Sequence, residues 1–177
     1  LYKVTTHPAM LTYLDNIYSV GENSERAIQC RKNNKCKVGL NDNLGRELLE
    51  LHTVSPAANY TESDIRATAQ ILAGWGTIVD KPQLEKFGLF NHWDAFVSNR
   101  AEPGTKLVLG KAIYAGKDGL HNLTEHLASH EHTQRHLAHK LCQHFVSDDV
   151  QSVDIEHIMK IWQQSGGDLR KIHQAVI

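Results

Sequence analysis

No apolar run in this chain approaches the ~18–20 residues that a membrane-spanning helix needs, so no transmembrane segment is expected in its 177 residues. No signal peptide is recognisable either. Charge of one sign is also lacking: 19 Lys and Arg stand against 20 Asp and Glu, a net charge of -1. Without a basic excess or a block of like charge, neither a nucleic-acid partner nor a charged tail is expected. Cysteine is scarce, with three in all. Cys30 and Cys36 share a polar stretch and could close a small disulfide ring in an oxidising compartment, a pairing that spacing alone leaves open. Cys142 falls in a helical pattern and reads as a small core residue. None of the three has the setting of a redox or nucleophilic cysteine. No Gly-rich phosphate loop follows a strand, no His-Glu-x-x-His appears, and no Gly-x-Ser-x-Gly elbow is present. Internal repeats and low-complexity tracts are missing too. No cofactor is marked by any motif.

What is there fits a globular domain. The hydrophobic fraction is 41% and the charged fraction 22%, enough for one domain with its own core. Histidine is the outlier: nine of the 12 lie at or after His121, which makes that half responsive to pH around 6–7. The chain starts without Met and ends inside an amphipathic pattern, so it reads as a fragment.

Helical periodicity dominates. Pro8 opens a helix expected to reach about Tyr18, with Met10, Leu11, Leu14, Ile17 and Tyr18 on one face. From Ser19 to Gly39 the chain is polar and basic with little periodicity, and reads as an exposed loop. Asn41 or Asn43 caps a helix to about Thr53, and 55–60 reads as a turn. Thr61 caps the next helix, buried through Ile65, Ala69, Leu72 and Ala73 and ended at Gly74 to Gly76. Phe87, Leu89, Phe90, Trp93, Phe96, Val97, Leu107, Val108, Leu109 and Ile113 are strand-like, with Pro103-Gly104 suggesting a turn between two sets. Helices follow at about 120–129, 131–146 and 150–164. Gly166-Gly167 stops the last of these, and Asp168 caps a final one using Leu169, Ile172, Ala175 and Val176. The expected fold is mainly α: one helical domain over 1–177 with a small antiparallel β insertion near residues 86–113.

The densest feature is Leu40-Asn41-Asp42-Asn43-Leu44-Gly45-Arg46-Glu47-Leu48-Leu49-Glu50-Leu51-His52-Thr53. At about 100° per residue, Leu44, Leu48 and Leu51 make one apolar stripe. Asn43, Glu47 and Glu50 fall along one border of it and His52 along the other, about 140° from Glu47. Asp42 and Arg46 are a favourable acid-first pair. Glu47 and Glu50 form either a polar seam paired with neighbouring helices or an acid/base or metal-binding pair.

The run from Asn41 to Thr53, followed by Tyr60-Thr61 and Ala73-Gly74-Trp75, resembles the bacterial family called domain of unknown function 1800. Other pieces agree in order: His7-Pro8-Ala9-Met10-Leu11, Tyr13-Leu14-Asp15-Asn16, Lys106 with Leu109-Gly110, Leu127-Ala128-x-His130-x-x-Thr133, Lys140-Leu141, Phe145-Val146 with Asp148, and Gly167-Asp168-Leu169. The resemblance covers nearly the whole chain and implies the C-terminal half of a longer member. It also implies a mostly helical bacterial protein, exported or envelope-associated, hence periplasmic or extracellular, with a cytoplasmic location as the alternative. It brings no settled activity. Two departures stand out. Where members often carry His-Asp before a glycine, this chain has Ala101-Glu102 before Pro103-Gly104. After the matched His130, where proline is favoured, it has Glu131, which supports reading His130 as the residue that starts a helix.

His132, His136 and His139 share one helical face, and His126 and His130 are four apart. Paired histidines at this spacing can chelate a transition metal, so the first three are candidate ligands; solvated or packing histidines are the alternative. Lys140 and His144 join His130 and Thr133 in a polar row beside the core. That row is expected to meet Glu47 and Glu50, since buried charge requires a partner. Two functions follow. One is a non-catalytic helical domain of an envelope or secreted assembly, acting on a protein partner. The other is a metal-assisted or acid/base hydrolase using Glu47, Glu50, His52, His130 and Lys140. The sequence does not decide whether the protein is an enzyme.

Overall fold

The computed structural model describes residues 1–33, 37–77 and 96–176. Among these the protein is mainly helical, with one two-stranded antiparallel sheet. It forms two compact units: Leu1–Leu48 with Tyr60–Glu125, and Leu49–Asn59 with His126–Ile177.

The first unit opens with α1 (Tyr2–Thr5) and α2 (Pro8–Tyr13). His7 caps α2 by accepting the Ala9 N–H on Nδ1 at 3.1 Å, with Pro8 in the first turn. The helix expected to reach Tyr18 stops earlier, because Asp15 takes a left-handed φ of 57° and a 3-10 turn over Asn16–Tyr18 follows. Asn16 is buried there, and its side-chain amide donates to the carbonyls of Leu72 and Trp75 at 3.2 and 2.7 Å. The stretch expected to be an exposed loop contains α3 (Glu25–Asn33). Its buried side is only Ala27 and Cys30, too narrow an apolar stripe to stand out from Glu25, Arg26, Gln29, Arg31 and Lys32. Cys30 is disulfide-bonded and Cys142 is a buried free thiol; Cys36, the other half of the expected ring, lies outside the described residues.

The motif helix α4 spans Asn43–Glu50 and α5 spans Glu62–Leu72. Leu44 and Leu48 are buried as expected, but Leu51 falls past the helix end and is 52% exposed, while Leu49 is fully buried. A Cβ on Gly45 would lie 3.0 Å from the Ala69 backbone nitrogen, so glycine here permits the close approach of α4 to α5. Arg46 fastens the same two helices, donating to both carboxylate oxygens of Glu62 at 3.1 and 3.0 Å and to Asp42 at 3.2 Å. The hydrogen bonds between Arg46 and Glu62 hold the Arg46 pKa above the ordinary arginine value and the Glu62 pKa below the ordinary carboxylate value; at this exposure solvent screens most of the pair's attraction.

Thr61 and Asp64 form the capping box at the start of α5. The sheet is a hairpin of β1 (Thr105–Val108) and β2 (Lys111–Tyr114), with Thr105 opposite Tyr114. Its turn is Leu109-Gly110, both at positive φ, as a two-residue hairpin of this hand requires; Pro103-Gly104 precedes the ribbon. The strand-like residues Phe87, Leu89, Phe90 and Trp93 lie outside the described residues. Phe96 makes an isolated antiparallel bridge with Trp75, and their rings are 5.3 Å apart. α6 (Lys117–Ser129) begins in this unit, where Leu120 and Leu123 are fully buried.

The second unit is built on α7 (Glu131–Phe145), α8 (Ser152–Ser165) and α9 (Leu169–Gln174), close to the expected spans. Its core holds Ala138, Cys142, Ile158, Met159, Trp162 and Ile172, with Leu137, Leu141 and Ile155 against it. Gly166 and Gly167 end α8 in the left-handed region, where the Gly167 N–H returns to the Trp162 carbonyl at 2.9 Å. Asp168 then caps α9 through the Arg170 and Lys171 amides. Leu169, expected on the buried face, is 64% exposed. It sits at the first position of a six-residue helix whose buried side is carried by Ile172.

Candidate anion-binding cleft

The residues singled out from the sequence are divided between the units. Glu47 is half-buried on α4 in the first unit. Glu50, the last residue of α4, and His52, just beyond it, are half-buried in the second, and Lys140 is exposed there on α7. Among the described residues none of Glu47, Glu50 and Lys140 makes an ion pair. His130 starts α7, as its place in the motif suggests: Nδ1 accepts the His132 N–H at 3.2 Å. Burial, and then the charge of His132, pull its pKa below the ordinary imidazole value. His136 is lowered in the same way, by burial first and then by Lys140. Among the described residues no group of three or more His, Cys, Asp and Glu side chains is placed to hold a metal ion, His132, His136 and His139 included.

The first unit contains a cleft that sequence reasoning did not single out. Its volume is about 820 Å³. Three separate segments bring a cation to it: Arg26 from α3, Lys37 from the extended stretch 37–41, and Arg100 from the 3-10 turn Ser98–Arg100. Asn41, Thr77 and Asn99 add polar groups; Ile17, Val20, Val38, Leu40 and Val97 supply apolar wall. No carboxylate stands among the described lining residues, and none of the three cations has an ion pair among the described residues.

Local structure explains how the cleft is held. The stretch 37–41 is tied to the segment after α2 by a parallel bridge between Ser19 and Gly39. The Val20 N–H donates to the Gly39 carbonyl at 2.9 Å, and the Ser19 hydroxyl accepts the Asn41 N–H at 3.1 Å. Arg100 reaches across to the same segment: its Nη2 donates to the Ile17 carbonyl and, at 3.0 Å, to the Ser19 carbonyl. Its Nε is buried without a partner. Burial, and then the charge of Arg26, pull the Arg100 pKa below its ordinary value, which marks the two guanidinium groups as neighbours that repel. Arginine keeps its charge regardless. A partly buried cation without a counter-charge is costly, and an incoming anion relieves that cost.

Beside the cleft, Glu102 anchors the turn that carries Arg100. Its carboxylate is buried, accepts the Asn23 backbone and side-chain N–H groups at 2.9 and 2.7 Å, and lies 3.8 Å from Lys106 Nζ. Gly21 makes this possible, since a Cβ there would sit 2.6 Å from the Glu102 Cα. Glu102 is therefore a structural tie in this chain. The only sequence signal for the cleft was the basic bias of 19–39, and it did not point to Arg100.

No curated protein and no solved structure matches the chain. The family model described as "Protein of unknown function (DUF1800)" matches residues 1–177, and the chain belongs to that family.

Proposed function

We propose that this chain is the binding domain of an exported or envelope-associated bacterial protein, and that it acts by holding an anionic group of its partner in the cleft of Arg26, Lys37 and Arg100. The observation that carries the reading is the charge imbalance of the cleft: three cations from three segments, with no carboxylate among its described lining residues. A chain of net charge -1 has acids to spare, so their absence from the described lining of one cleft is a local property. Convergent cations with apolar walls are the makings of a specific anion site rather than of a general polyanion surface. The compartment rests on two supports. One is the resemblance of the linked motifs to a family whose members look exported. The other is the disulfide at Cys30, a bond that persists in oxidising compartments.

The test is calorimetric titration of the purified chain with small anions at low ionic strength, compared with the variant carrying Arg26→Gln and Lys37→Gln together. Saturable binding that the variant loses is the expected result. Absence of binding by both carboxylate and phosphate ligands, or equal binding by the variant, would remove the reading.

A further inference from the structure

We infer that the group held in the cleft is a phosphate monoester rather than a carboxylate; this rests on the anion-binding reading above. The first ground is how Arg100 is engaged. A guanidinium grips a carboxylate or a phosphate through a fork of two parallel N–H bonds, and both of its forks include Nη2. In this cleft Nη2 already donates to the carbonyls of Ile17 and Ser19. Neither fork is free. What remains for a ligand is Nη1, which has no acceptor among the described residues and donates singly, together with the side chains of Arg26 and Lys37; Nε is buried and unpartnered behind it. A tetrahedral oxyanion points three terminal oxygens in different directions and so meets separate single donors from three segments better than two coplanar carboxylate oxygens do.

The second ground is charge. Arg26 and Arg100 repel, and Lys37 adds a third cation. A monocarboxylate offsets one of these charges, whereas a phosphate monoester carries about -1.5 to -2 at neutral pH. The third ground is the backbone. The N–H groups of Lys37, Val38 and Leu40 have no acceptor among the described residues. A Cβ on Gly39 would meet nothing within 4 Å, so no packing demands glycine there; its absence of side chain leaves the main chain approachable by a ligand. The fourth ground is size. About 820 Å³ is far more than a bare phosphate needs, and the apolar wall of Val20, Val38 and Leu40 suits the organic part of an ester.

The experiment titrates the chain with glycerol 3-phosphate, with succinate, and with vesicles containing phosphatidate, all near pH 7.5. Glycerol 3-phosphate, the vesicles or both should bind at least about tenfold more tightly than succinate. Arg26→Gln and Lys37→Gln should each weaken that binding about tenfold or more, the scale of one charge-assisted hydrogen bond. Both side chains are exposed, so circular dichroism should show the fold unchanged. Arg100, which ties the segment after α2, is left intact. Tighter binding to vesicles would make the source a lipid headgroup, and binding of the soluble ester alone would make it a soluble metabolite; both support the phosphate. Succinate binding as tightly as the esters would overturn the phosphate and leave the anion-binding reading standing. Binding by no ligand would overturn both, and ester binding indifferent to both variants would overturn the location.

Discussion

Replacing Asp64 by alanine tests the most connected polar residue of the first unit. One carboxylate oxygen accepts the Thr61 N–H at 2.8 Å and the Thr61 hydroxyl at 2.7 Å, closing the capping box of α5. The other accepts the Leu109 N–H at 2.8 Å, which pins the hairpin turn to the helix start. Leu109 has a φ of 46°, an uncommon conformation for leucine that needs outside support. Loss of the capping interaction costs about 1 kcal/mol. Loss of a charge-assisted bond to a part-buried amide costs about 1.5–2 kcal/mol more. Asp64→Ala should therefore destabilise the protein by about 2.5–3 kcal/mol, measured by urea unfolding at pH 7. Thr61→Ala, which removes only the cap, should cost about 1 kcal/mol. If the two variants lose equal stability, the link to the hairpin contributes nothing and the reasoning fails.

The pH dependence gives a second handle on the same residue. Burial raises the Asp64 pKa, but the hydrogen bonds from Thr61 and Leu109 outweigh it and the net shift is downward. A carboxylate that is harder to protonate when folded stabilises fully above its unfolded value near about pH 4, and loses that contribution as the pH falls through the depressed folded value. The stability gap between the protein and Asp64→Asn should accordingly be constant from about pH 5 to 7 and shrink below about pH 4. A gap that persists to pH 2 would show that the charge is not what matters.

Three further outcomes are expected. Gly21→Ala should cost at least about 1–3 kcal/mol and loosen the Arg100 turn, because the added methyl meets backbone atoms of Glu102 that cannot swing aside; urea unfolding measures it. His130 caps α7 as a neutral acceptor, and its folded pKa is depressed by burial and then by His132. Its contribution is complete above the unfolded value of about 6.5 and lost as the pH falls through the folded one. Acidification from pH 7.5 to 5.5 should thus weaken the second unit, and His130→Asn, a cap that does not titrate, should flatten that loss in thermal melts. Leu49→Ala should cost about 2–5 kcal/mol, as for a fully buried leucine, whereas Leu51→Ser should fall within about 0.5 kcal/mol of the parent.

Elements whose ends carry their own chemistry were legible in the sequence. Thr61 with Asp64, Gly166-Gly167 and Asp168 each satisfy helix-end groups locally, so their positions needed no tertiary information. Where the outcome depends on distant packing, the reading slipped. Asp15 interrupts a good apolar period because Asn16 must reach the Leu72 and Trp75 carbonyls, more than 50 positions away. Helix α3 shows only two buried residues, so periodicity has almost nothing to register. Leu51 belonged to the stripe only as long as the helix continued, and it ends at Glu50.

The cleft lies at the far end of the same scale. Arg26, Lys37 and Arg100 each look like solvated surface charge, and a motif search looks for pairs at helical spacing. What turns them into one site is the carbonyls of Ile17 and Ser19, main-chain atoms carrying no side-chain signature, which draw Arg100 onto a segment more than 80 positions earlier. The acids and histidines of the motif helix and of α7 drew attention because their spacing matches known chemistry, yet spacing tests only neighbours within an element. A site assembled from single residues on three segments leaves one trace in composition, the local shortage of acids near a basic stretch. That shortage is also what makes the assignment testable, since an acid placed at the rim should act as an internal competitor. Asn99→Asp, an exposed substitution on the cleft wall, should weaken anion binding about tenfold while leaving the urea midpoint unchanged, and unaltered affinity would place the bound group elsewhere.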